Sequence, residues 1–151
     1  MISFPATRIG VIALLLCTAT AYAAPHTPKV GSPERLAICD ALRLHVAGSI
    51  ANSRLPKKIV FKIEDLNVDG DFAFFGGFPI FEDGTDAIPD FLPDVFYCFL
   101  LRKKGTGWNV IADFSGSDVP EPAWWRTMRQ KLPAGVPAAI FPEFYRDHLG
   151  L

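Results

Sequence analysis

Residues 59–80 read IVFKIEDLNVDGDFAFFGGFPI, and this stretch decides the fold. Ile59, Phe61 and Ile63 alternate with Lys58, Lys62 and Glu64, the period of a half-buried strand. Leu66 and Val68 continue on the opposite parity. A slip of one residue near Glu64-Asp65 is what a β-bulge produces. Asp69-Gly70 is a favoured two-residue hairpin turn. Phe72, Phe74, Phe78 and Ile80 form the return strand. Gly76-Gly77 inside it permit a bend or a close backbone approach.

Outward from this hairpin, residues 82–93 form a loop rich in Asp, Gly and Pro. A third strand is expected from Asp94 to Lys103. It sets Phe96, Cys98 and Leu100 on one face and Val95, Tyr97, Phe99 and Leu101 on the other. Both faces are apolar, so the strand is expected to be central, covered on both sides or curled around a cavity. Gly105-Thr106-Gly107 turns the chain into a fourth strand, Trp108 to Phe114.

Ahead of the sheet, Ser32-Pro33-Glu34 is a helix start: a cap, Pro in the first position and an acid in the first turn. Leu36, Cys39, Leu42, Val46 and Ile50 then form one apolar helical stripe, and residues 52–56 end the helix. Behind the sheet, Asp118 with Glu121 fits a capping box for a helix carrying Trp124, Trp125, Met128 and Leu132. A last short helical piece spans Ala138 to His148, with Phe141, Phe144 and Tyr145. The expected fold class is α+β: an N-terminal helix packed on a curled four-stranded antiparallel sheet, with C-terminal helices.

The 151-residue chain opens on a segment of another kind. Arg8 precedes an apolar run over residues 9–16, and Ala21-Tyr22-Ala23 has the small-x-small pattern of a signal-peptidase site. Residues 1–23 are therefore read as a signal peptide, 24–32 as an extended mature N-terminus and 33–151 as a single domain. The expected location is the periplasm or the extracellular space. Leu15 and Leu16 before Cys17 do not suit a lipid-attachment site. Cleavage would leave Cys39 and Cys98, and two thiols in an oxidising compartment predict one disulfide between them, the alternative being a pair of inert buried thiols.

A leading helix before a curled antiparallel sheet resembles the cystatin-like and nuclear-transport-factor-like small folds. The runs Arg35-Leu36-Ala37-Ile38-Cys39-Asp40-Ala41-Leu42-Arg43, Val68-Asp69-Gly70-Asp71-Phe72-Ala73-Phe74 and Gly107-Trp108-Asn109-Val110 also resemble small exported proteins of Proteobacteria without an assigned activity. The shared motifs are caps, turns and strands. They carry no catalytic residue across, and folds of this kind serve inhibitors, carriers and enzymes alike.

Chemistry-bearing motifs are sparse. Net charge is −1, and no basic patch points to nucleic acid. Lys57-Lys58 and Arg102-Lys103-Lys104 read as solvated strand ends. Glu82, Asp83, Asp86, Asp90 and Asp94 lie in one loop without calcium-loop spacing, and the hairpin reading accounts for Asn67-Val68-Asp69-Gly70-Asp71. No metal and no cofactor are expected. His26 falls in the mature start, His45 beside the helical stripe and His148 near the C-terminus, none next to a nucleophile motif. Asp113 is the best candidate for an inward carboxylate, although its parity favours an outward face. The aromatic residues exceed what one core layer needs. Phe75, Phe78, Trp108, Trp124 and Trp125 are candidates for a binding surface or pocket. Trp124 and Trp125 are adjacent on a helix, so only one can point fully inward.

These features predict a non-catalytic envelope protein that recognises a protein or cell-wall partner, in the manner of an inhibitor or immunity protein. The alternatives are a carrier of a small apolar ligand in the concavity of the sheet, and a small hydrolase or isomerase using an inward carboxylate such as Asp113.

Overall fold

A computed structural model describes residues 24–49, 58–85, 87, 96–116 and 121–151. The signal-peptide segment, Ile50, Asp118 and most of the loop after residue 85 lie outside the described residues. The order is α1 (Pro33–Ser49), β1 (Ile59–Asp69), β2 (Phe72–Phe81), β3 (Tyr97–Lys104), β4 (Gly107–Asp113), α2 (Pro122–Lys131), a 3-10 turn (Ala138–Ile140) and α3 (Glu143–Leu149). The strands form one antiparallel sheet in the order β1-β2-β3-β4. The fold is α+β, as expected.

The decisive hairpin keeps its predicted irregularity. Register with β2 shifts between Ile63 and Asp65, opposite Gly77 and Gly76. The bulge turns Asp65 and Asn67 to one face while Leu66 and Val68 rejoin Ile59 on the other. Gly77 permits it by close approach: a Cβ there would sit 2.2 Å from the Lys62 carbonyl oxygen. The turn lies one residue later than the sequence reading placed it. Asp69 pairs with Phe72, and the loop is Gly70-Asp71 with φ of 57° at the glycine. Positive φ at the first loop residue alone is the pattern that demands glycine there.

Strands β2 and β3 are covered on both faces. On one, Ala73, Phe75, Phe99, Leu101 and Trp108 pack against Ile38, Ala41, Leu42 and Val46 of α1. On the other, Phe72, Phe74, Cys98, Leu100 and Ala112 pack against Trp125, Met128, Ile140, Phe141 and Leu149. The α1 stripe is rotated from the predicted one. Leu36 is 52% exposed, and Ile38 and Ala41 take its place in the core. The start of α1 is as read: Ser32 Oγ accepts the Arg35 N–H at 3.3 Å. The N-terminal segment is pinned to the sheet and to α1. His26 exchanges backbone hydrogen bonds with Val68, and its ring meets Glu34 at 2.9 Å.

Two further expectations are corrected. Helix α2 begins at Pro122 with Glu121 as its N-cap, without a side-chain capping bond, so Glu121 precedes the helix instead of closing a capping box. The proline supplies the first helical residue, whose N–H would be unpaired anyway. The disulfide is not formed: Cys39 and Cys98 are buried free thiols. Cys39 rides on α1, which covers the Phe99 face, whereas Cys98 shares the parity of Leu100 and points to the C-terminal helices. The sheet lies between them, and a disulfide needs Cα atoms within about 7 Å and convergent Cβ vectors. Both thiols should alkylate in denaturant without reductant, and reduction should leave the intact mass unchanged. A mass gain of two hydrogens on reduction would restore the bond.

Candidate binding surface

The C-terminal helices build the most distinctive surface. Trp125 and Met128, three apart on α2, turn into the core, while Trp124 is half-buried. Trp124 and Trp125 meet edge to face at 4.8 Å, so one tryptophan points inward and its neighbour packs beside it. Trp124 in turn leans on Phe114 at 6.5 Å. Phe144 and His148, four apart on α3, share a helix face. Their rings lie 4.3 Å apart, and Trp125 lies 5.8 Å from Phe144 and 4.9 Å from His148. His148 Nδ1 hydrogen-bonds the Phe144 carbonyl at 2.8 Å, which fixes the ring against the helix. Phe144 is 51% exposed despite its size.

Trp125 and His148, with Phe144 packed against both, form one side of a groove of about 650 Å³ between α2 and α3, lined also by Pro122, Arg126, Gln130 and Asp147 among others. Arg129 fixes its width. Its guanidinium donates to the Leu149 and Gly150 carbonyls, satisfying the end of α3 and tying α3 to α2. The groove thus combines an aromatic wall with arginine, amide and carboxylate groups on a rigid frame.

Beneath it lies a buried polar cluster. Cys98 Sγ and Tyr145 Oη share a hydrogen bond at 2.6 Å, and the Cys98 N–H donates to Ser115 Oγ at 3.1 Å. Burial pushes the Cys98 thiol up to about 12, only partly opposed by the Tyr145 bond, and the Asp65 carboxylate pushes the same way. Burial and the adjacent Cys98 raise the Tyr145 phenol as well. Asp65, carried to this face by the bulge, is itself raised by burial and by neighbouring Glu64. An inert thiol and phenol clamp α3 to β3; they are not poised as nucleophiles.

Of the aromatic candidates, the structure brings Trp125 to the groove, while Trp124 packs on Trp125 and Phe114. Phe75 is fully buried under α1, and Trp108, also buried there, reaches only the edge of a groove beside Pro33 and Lys103. Phe78 packs on Phe96 at 5.2 Å, with the Lys62 ammonium 5.7 Å from its ring centre. Asp113 is half exposed; it accepts the Ser115 N–H at 2.8 Å and lies 3.8 Å from His45 Nε2. Glu82 pairs with Lys58, and Asp83 accepts from Thr85. Asp86, Asp90 and Asp94 lie outside the described residues. Sequence reading missed Phe144 with His148, whose four-residue spacing was the available signal, and Asp65, whose face depends on the bulge. No protein family, curated protein or solved structure matches the chain.

Proposed function

We propose that this is an exported binding protein, carried to the periplasm or beyond by residues 1–23, that recognises a protein or cell-envelope partner through the α2–α3 groove. The observation that carries this reading is the exposed Phe144–His148 pair beside Trp125, on a frame whose described sheet faces are filled with side chains. A carrier would need enclosed space in the sheet's concavity. Large exposed aromatics beside arginine are the groups that anchor macromolecular interfaces.

The reading is tested by exchanging Phe144 for aspartate. Phe144→Asp should weaken partner retention at least tenfold, the scale of an interface anchor of about 2 kcal/mol. The melting temperature should stay within a few degrees, because the side chain is half exposed. The measurement is covalent crosslinking in intact cells, comparing wild type with Phe144→Asp at equal protein level. Identical adducts from both would reject the groove as the binding surface.

A further inference from the structure

The end of the sheet that carries both hairpin turns has a character the groove does not share. Arg102, Lys103 and Lys104 close β3 and are all exposed, as are Gly105 and Thr106 of the turn. Arg102 lies over the Phe72 ring at 5.4 Å and Lys103 over Trp108 at 5.9 Å. The Lys103 N–H donates to the Asp71 carbonyl, so the two turns sit together. A groove shared by Pro33, Glu34, Ala37, Lys103 and Thr106 places the start of α1 at the same end. Just before α1, Lys29 and Val30 lie in a turn closed by Ser32 N–H on the Lys29 carbonyl. Val30 is 86% exposed. Among the described residues, none of Lys29, Arg102, Lys103 or Lys104 forms an ion pair. The acids of these turns are Glu34, held by His26, the buried Asp69, and Asp71.

We propose that this end of the sheet docks on an anionic lipid surface. Successive strand residues point to opposite faces, so Arg102 and Lys104 flank one side of the hairpin and Lys103 the other. All three border one shallow pocket with Asn109 and Ile111, but the Lys103 ammonium turns away to Trp108. A broad anionic plane approached end-on engages both sides of the hairpin at once. Val30, bare and apolar beside Lys29, supplies a side chain for the boundary between headgroups and acyl chains. Basic residues around an apolar tip are the combination that interfacial binding uses. The face is separate from the α2–α3 groove, so either can fail without the other.

The test is co-sedimentation of the protein, purified as the cell processes it, with vesicles of phosphatidylcholine alone or mixed with phosphatidylglycerol. Binding should require phosphatidylglycerol and fall with added salt. Each basic residue near such a surface contributes about fivefold, so Lys103→Glu/Lys104→Glu should lower partitioning by about 25-fold or more. Lys58→Glu/Lys62→Glu changes net charge equally at other positions and should retain most binding. Val30→Asp should reduce it by about tenfold, the loss of one buried valine. Phe144→Asp should bind vesicles as wild type does. Equal binding to both vesicle types, equal loss in the Lys58/Lys62 variant, or retention by soluble polyglutamate without retention by vesicles would each overturn the proposal.

Discussion

Gly77→Ala should destabilise the protein by about 3 kcal/mol or more, the upper range for forcing atoms into a packed interior. The added methyl would lie 2.2 Å from the Lys62 carbonyl oxygen and 3.2 Å from Ile63 Cα. Both are backbone atoms of β1, fixed by pairing on either side of the bulge. Relief would require breaking the register at Ile63 and Asp65, and with it the switch that sends Leu66 and Val68 to the α1 side. Gly76→Ala is the informative contrast. Its closest neighbours are the Phe96 ring at 3.1 Å and Asp65 Cβ at 3.4 Å, side-chain atoms that can shift. It should cost about 1 kcal/mol, an ordinary substitution effect. Denaturant midpoints of the two variants decide the matter. A Gly77→Ala protein within about 0.5 kcal/mol of wild type would show that the strands do not approach here.

Alkaline pH should unfold the protein through the Cys98–Tyr145 cluster. The thiol ordinarily ionises near 9.0 and is held up to about 12 in the folded state, chiefly by burial. Between those values the folded protein keeps a proton that the unfolded chain has released. Stability is therefore complete below pH 9 and declines as pH rises toward 12. At about 1.4 kcal/mol per pH unit, the thiol alone accounts for up to about 4 kcal/mol across that span. Tyr145 is raised from 10.0 and adds to the decline above that value. Cys39 and Tyr97 are raised in the same sense, with Arg43 and Arg35 opposing the shift at Cys39. Unfolding midpoints from about pH 8 to about pH 11 should fall steeply in wild type and markedly less in Cys98→Ala. Parallel profiles for the two proteins would remove the cluster as the cause.

The fold was legible because its signals are local. Alternation through Ile59, Phe61 and Ile63, the parity change before Leu66, the glycine turns and the Ser32-Pro33 helix start each act within a few residues. What they could not supply was relative placement. Both faces of β3 are apolar, so sequence alone left open which face α1 covers, and the disulfide expectation chose Cys98 where the structure chooses Phe99. The rotation of α1 was obscured similarly. Leu36 is as apolar as Ile38, and only packing against Trp108 and Leu42 decides between them. The candidate site was half legible. Trp124-Trp125 stood out in the sequence, but the partners of Trp125, Phe144 and His148, lie about twenty residues away across three prolines, joined by tertiary contact.

The strictly sequential strand order has a consequence in time. Each strand pairs with its immediate predecessor in the chain, so both hairpins can close over short loops with little entropy to overcome. The costly closures are those that reach across the meander: α1 onto β4, and residues 122–149 back onto Phe72, Phe74 and Leu100. Synthesised from the N-terminus, the chain can zip its sheet before α2 exists. Until the last thirty or so residues arrive, that sheet carries an aromatic face bare to water. The C-terminal helices are thus the closing step of assembly, and the interval before they dock is when the molecule is most exposed to aggregation.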